Sequence, residues 1–203
     1  MKEMLEKVKG SFVQKGYRKR RSSFYKVEGG FYKLVHFQKG AYGDYFFINV
    51  GLHPVGLPFL QANTLLIPDH PKEYECVLRE RVGEIVEGKK RKIFSIPWIS
   101  DDMFPRIIDA LVDIEAWFQK WGSFQTILDS SFDEISKMFP VAPICWEKQY
   151  QLLRFYCAVQ TRDMERAQKI FNQYSDVTVQ TVNTAQIMNF EDLDHYLRSM
   201  LET

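Results

Sequence analysis

The chain has 203 residues, 45% of them hydrophobic, 15% aromatic and 26% charged, with a formal net charge of +1. It can therefore bury a proper core and still present a charged surface. No apolar run approaches the roughly 20 residues that span a bilayer, and the opening Met1-Lys2-Glu3-Met4-Leu5-Glu6-Lys7 lacks the apolar segment of a secretory signal, so a soluble cytoplasmic protein is expected.

Met4, Leu5, Val8 and Phe12 fall on one helical face, and Gly16 supplies the stop. Residues 17–21 lead into a stretch rich in β-formers at 22–27. Glu28-Gly29-Gly30 reads as a hairpin turn, because glycine accepts the positive φ of tight turns. Residues 31–38 alternate, with Phe31, Lys33, Val35 and Phe37 on one face and Tyr32, Leu34, His36 and Gln38 on the other. A second turn at 39–44 precedes the nearly all-apolar stretch 45–52, which predicts a central strand covered on both faces. Strands joined by such short turns form an antiparallel meander.

Residues 53–71 hold four prolines and no clear period, which predicts a long irregular connection. A strand is expected from 74 to 78 and on to 83, a charged turn at 87–92, and a last strand at 93–98 stopped by Pro97. From Ser100 the period becomes helical, with a stripe of Ile107, Ile108, Leu111, Ile114, Phe118 and Trp121 that Gly122 closes. One or two helices follow through Ile127, Leu128, Phe132, Ile135 and Phe139, broken by Pro140 and Pro143. Residues 146–160 and 162–174 form an αα-hairpin whose apolar faces are Trp146, Tyr150, Leu153, Cys157 and Met164, Ala167, Phe171, Tyr174. A polar break at 176–184 precedes a terminal helix capped by Asn189. The class is α+β: an N-terminal helix and antiparallel β-meander sheet, packed with a C-terminal cluster of about five helices. We expect a single domain over 1–203, with a sheet half at 1–99 and a helical half at 100–203. The helix pair at 146–174 occurs in a single copy, so a repeat array is rejected.

Phosphate-cradling Gly loops, zinc-protease motifs and nucleophile elbows are missing from the sequence. Cys76, Cys145 and Cys157 lack paired spacing and read as reduced thiols; Cys76, near Arg79 and Arg81, has the most electropositive setting. His53, Asp69, His70 and Cys76 are the best candidate metal set, without diagnostic spacing, and neither metal nor cofactor is expected. Glu73, Glu75, Glu80, Glu84 and Glu87 read as alternating charges on a solvated strand rather than a paired-carboxylate site. Residues 1–40 carry a net charge of +8 and the remainder −7. The basic run Tyr17-Arg18-Lys19-Arg20-Arg21, with Phe24, Tyr25, Phe31 and Tyr32, mixes cations and rings as single-strand nucleic-acid sites do; an edge strand guarded by Lys and Arg has the same look.

The segments Lys15-Gly16-Tyr17-Arg18-Lys19, Leu34-Val35-His36-Phe37-Gln38-Lys39, Tyr45-Phe46-Phe47-Ile48-Asn49-Val50-Gly51-Leu52-His53-Pro54 and Cys76-Val77-Leu78-Arg79-Glu80-Arg81-Val82-Gly83 resemble, in the same order, the bacterial family catalogued as domain of unknown function 4304. The resemblance covers roughly the first half and implies a cytoplasmic bacterial α+β protein. It carries no activity to transfer. Arg79 and Arg81, two apart on a strand, point the same way. With Gln38, Lys39 and Asn49 on neighbouring strands they are expected to line a polar patch, suited to carboxylate or phosphate. The expected function is a non-enzymatic protein-binding module, inhibitor- or immunity-like. The alternatives are a nucleic-acid or nucleotide-binding protein using the basic sheet, and a hydrolase built on Arg79, Arg81 and nearby carboxylates.

Overall fold

The computed structural model describes residues 1–41, 45–61, 64–86, 89–95, 103–140, 146–180 and 190–202. They fall into two compact units, Met1–His53 with Pro71–Gly122, and Pro54–His70 with Ser123–Thr203. The helix expected to open a helical half thus belongs with the sheet.

In the first unit, helix α1 (Lys2–Gln14) precedes strands β1 (Arg18–Arg20), β2 (Ser23–Glu28), β3 (Phe31–Lys39) and β4 (Tyr45–Pro54). These four are neighbours in sequence order in an antiparallel meander, as the alternation and paired glycines predicted. Gly29 and Gly30 take φ of +61° and +81°, the left-handed values that a tight hairpin needs. The short strand β1 at the end of the sheet is the edge strand guarded by Lys and Arg that the basic run allowed. Its Arg18, Lys19 and Arg20 pair with Tyr25, Phe24 and Ser23.

The hairpin β5 (Phe59–Gln61) and β6 (Thr64–Leu66), part of the second unit, interrupts what the prolines suggested was irregular chain. Back in the first unit, Glu73–Glu75 form a 3-10 turn rather than the start of a strand. Strands β7 (Leu78–Val82), β8 (Glu84–Val86), β9 (Lys89–Arg91) and β10 (Phe94–Ser95) follow. Both β7 and β10 lie along β4: Val82 faces Ile48 and Phe94 faces Phe46. The chain leaves that edge and returns between these two positions, and β8 pairs with β9 in the detour. Of the expected charged turn, residues 89–91 are thus strand, and 87–88 lie outside the described residues. Of the expected last strand, only 94–95 is strand, and 96–98 lie outside the described residues.

Period-2 alternation sends Phe46, Ile48, Val50 and Leu52 to one face of β4, all 0% exposed. Phe24, Phe31, Val35, Phe37, Leu78 and Phe94 are buried with them. Helices α1 and α2 (Met103–Trp121) supply Met4, Leu5, Val8, Phe12 and Met103, Ile107, Leu111, Ile114, Phe118 to the same core. Phe12 stacks on Phe24 at 4.1 Å and meets Tyr17 and Phe37 edge-on. Charged groups close the core's margin. Tyr17 donates its hydroxyl proton to Glu115 at 2.6 Å, Lys26 reaches Glu115 at 3.1 Å, and Lys33 reaches Glu28 at 2.5 Å.

The second unit holds α3 (Phe124–Asp129), α4 (Phe132–Ile135), α5 (Trp146–Gln160), α6 (Met164–Gln180) and α7 (Phe190–Leu201), which gives the anticipated helical cluster. Ser123 caps α3, and Ser131 with Glu134 forms a capping box on α4. Helices α5 and α6 form the expected hairpin, with Phe155 against Phe171 at 6.1 Å. Met164, assigned to its apolar face, is instead 36% exposed. Helix α6 runs to Gln180, past the expected break at 176; the rest of that break and Asn189 lie outside the described residues. Residues 54–57 are held by the Tyr156 hydroxyl, which donates to the Val55 carbonyl, and by that of Tyr196, which donates to the Gly56 carbonyl at 2.8 Å. Among the described residues no helix is long and apolar enough to cross a membrane.

Candidate functional site

The antiparallel register of β4 and β7 sets Asn49 opposite Arg81 and Gly51 opposite Arg79. Paired residues share a face, so these four lie on the side of the sheet away from Phe46, Ile48 and Val50. Arg81 donates from Nε to Asn49 Oδ1 at 3.0 Å, and Asn49 donates from Nδ2 to Gln38 Oε1 at 2.8 Å. The relay crosses three strands, from β7 through β4 to β3. Asn49 is buried, so both ends of its amide are satisfied where water is excluded. The Arg81 guanidinium lies over the Phe47 ring, 4.0 Å from its centroid. Its plane is fixed by the ring and its direction by Asn49. Its Nη edge has no acceptor among the described residues.

Arg79 serves a different purpose. Its Nε donates to Glu73 Oε1 at 2.7 Å, and the Glu73 side chain is only 5% exposed. The 3-10 turn carrying Glu73 lies over Gly51, where a Cβ would come within 2.7 Å of the Cys76 sulfur and 3.1 Å of the Glu73 carbonyl. Glycine here lets the turn approach the sheet. Burial pushes the Cys76 thiol well above its ordinary range, so it stays protonated and is a poor nucleophile. Cys157 is likewise buried and raised, and Cys145 lies outside the described residues.

His36, paired across strands with Ser23, has its Nδ1 within 2.9 Å of the Ser23 hydroxyl. Burial lowers its pKa; the Glu73 charge opposes that and the Arg79 charge adds to it. The sign follows from linkage. Unfolded chains take up this proton below about pH 6.5, while folded His36 stays neutral to lower pH. The contribution is complete above that pH and lost as pH falls toward the depressed folded value. His36→Gln is expected to flatten the fall in stability between about pH 6.5 and 5. Urea unfolding at a series of pH values checks this, and equal slopes in both proteins would refute it.

The structure thus joins Gln38, Asn49 and Arg81, and sets Arg79 beside them on the same face with its own partner. Lys39 does not join them: it is exposed and shares the period of Phe31, Val35 and Phe37, which face the core. Phe47, Glu73 and His36 were not foreseen as site components. Glu73 was grouped with the solvated acids, yet it is buried, while Glu80 pairs with Lys92 at 2.8 Å.

The basic first segment is answered in part within its own unit. Lys19 meets Glu6 at 2.9 Å, in addition to the Lys26 and Lys33 pairs. Tyr17, Phe24 and Phe31 are buried, which removes three of the five rings from any stacking surface. Arg18, Arg20 and Arg21 remain exposed. Among the described residues no three His, Cys, Asp or Glu side chains gather as metal ligands; His53 and Cys76 are buried and Asp69 and His70 exposed.

A family model described as "Domain of unknown function (DUF4304)" matches residues 8–118, more than half of the chain. The match takes in the second half of α1, the whole meander, the Arg79–Arg81 strand and most of α2. No curated protein and no solved structure matches. The chain belongs to the DUF4304 family.

Proposed function

We propose that this DUF4304 member is a non-enzymatic binding module of the bacterial cytoplasm, an inhibitor- or immunity-like protein that presents Arg81 to a carboxylate on a partner protein. The observation that carries this reading is the restraint on Arg81. Its guanidinium is stacked on Phe47 and anchored through Asn49 to Gln38, with its terminal edge uncommitted. A planar, pre-oriented fork of this kind loses little freedom when it accepts a bidentate carboxylate. Arginine over an aromatic ring is also a common energetic centre of protein interfaces.

Affinity capture from a native lysate, repeated with Arg81→Ala and Arg81→Lys, tests this. A partner is expected that binds the wild type and is weakened about 30-fold by Arg81→Ala, a loss of roughly 2 kcal/mol. Arg81→Lys keeps the charge but loses the fork, and is expected to recover only part of the affinity. The reading fails if no captured protein depends on Arg81.

A nucleic-acid role has narrower support, in the exposed Arg18, Arg20 and Arg21. Its mark is single-strand binding that weakens steeply with salt. A hydrolytic role has less support still, since Arg79 is engaged by Glu73 and the Cys76 thiol is held protonated.

A further inference from the structure

Helices α5 and α6 border a hollow of about 480 Å³ in the second unit, lined by Arg154, Asp163, Glu165, Arg166, Lys169 and Ile170, with Gln173 at one end. Arg166, Lys169, Ile170 and Gln173 follow at spacings of three and four, so α6 presents them as one face. Arg154 stands on α5. A volume of this order suits a small molecule rather than a protein side chain.

The charges lining the hollow differ in what already holds them. Arg166 donates from one Nη to Asp129 at 3.0 Å and from the other to the Leu128 carbonyl at 2.7 Å. Asp163 accepts from the backbone N–H of Arg166 and so caps α6. Arg154 has no carboxylate or carbonyl partner among the described residues, and its Nε is buried without an acceptor. Among the described residues its guanidinium lies over the Tyr150 ring, 5.1 Å from the ring centroid to the guanidinium carbon, and the Asp129 carboxylate acts on it at longer range. Tyr150 is fixed in turn by its hydroxyl, which donates to the Ser130 carbonyl at 2.9 Å. Lys169 is exposed, and no ion pair holds it among the described residues. Among the described lining residues, the charges without an ion pair or hydrogen bond are therefore two cations, Arg154 and Lys169, against one carboxylate, Glu165.

A buried donor without an acceptor is destabilising, and Arg154 as a whole is half-buried, so its guanidinium carries a charge that no hydrogen bond or ion pair takes up among the described residues. We infer that the α5/α6 hollow is a binding site for a compact oxyanion, the phosphate or carboxylate group of a small molecule, with Arg154 as its main ligand and Lys169 as its second cation. The site is built from the second unit alone. It is independent of Arg81, and of the binding role assigned to the sheet.

The test uses the whole chain with inorganic phosphate and with acetate, each titrated against sodium chloride at matched ionic strength. The readout is the NMR signal of the Arg154 side-chain Nε–H. A saturable shift with phosphate or acetate is expected, and the anion that gives it identifies the class. Arg154→Gln should weaken binding at least 10-fold, read from backbone amides of α6, and Lys169→Ala about threefold, while Arg81→Ala leaves it unchanged. Chloride-like, non-saturable shifts for both anions overturn the site. So does saturable binding that survives Arg154→Gln in a chain whose amide spectrum shows it folded.

Discussion

Phe12→Ala is expected to destabilise the first unit by about 3–5 kcal/mol, the cost of removing a fully buried phenylalanine and leaving a cavity. Phe12 is 0% exposed. It stacks on Phe24 and meets Tyr17 and Phe37 edge-on, so its ring joins α1 to β2, β3 and the turn between helix and sheet. A smaller side chain leaves three rings without their common neighbour, and rings held by strands cannot close the gap. Phe12→Leu refills part of the volume and is expected to cost less than half as much. Urea unfolding followed by tryptophan fluorescence in a Trp146→Phe background, which leaves tryptophans only within the first unit's stretches, reports this unit directly. A loss below about 1 kcal/mol would show that the core closes around the deletion.

Arg79→Ala is the second large effect, about 3 kcal/mol, because it leaves the Glu73 carboxylate buried and unpaired. Arg79 itself is 31% exposed, so the penalty sits mainly on Glu73, at 5%. Adding Glu73→Gln to Arg79→Ala removes the stranded charge and is expected to restore at least half of the lost stability. If the double variant is no more stable than Arg79→Ala alone, the pair contributes little and another contact explains the loss. The same pair of variants separates structure from recognition. Arg79 acts through Glu73 on the fold, whereas Arg81 should affect partner binding more than stability.

Much of the sheet was legible because its signals are local. The alternation of residues 31–38, the paired glycines before it and the apolar run of 45–52 specify strands and turns without help from distant chain. Strands β8 and β9 escaped notice because Glu84, Lys89, Lys90 and Arg91 carry charges typical of a solvated turn, and each strand is only three residues long. The pairing of β7 and β10 with one strand is invisible to any window, since the two contacts are separated by the hairpin between them. The site shows the same division. A spacing of two correctly put Arg79 and Arg81 on one face. Their different partners depend on the 3-10 turn folding back over Gly51, a non-local event that makes Glu73 a buried partner rather than a surface acid. Lys39 was grouped by proximity to Gln38, although adjacent strand residues point to opposite faces.

The order in which the two units are threaded has a consequence for synthesis. The chain builds the first unit up to His53, crosses into the second for residues 54–70, and returns at Pro71. A ribosome therefore releases Val55 and Gly56 about a hundred residues before Tyr156 and farther still before Tyr196, whose hydroxyls hold their carbonyls. Throughout that interval the nascent first unit can close its own sheet while Leu57, fully buried in the finished protein, waits for the helices that complete its surroundings. A fragment stopped at Gly122 would be caught permanently in that waiting state. It should prove more prone to aggregation than the whole chain, even though it contains every residue of the first unit.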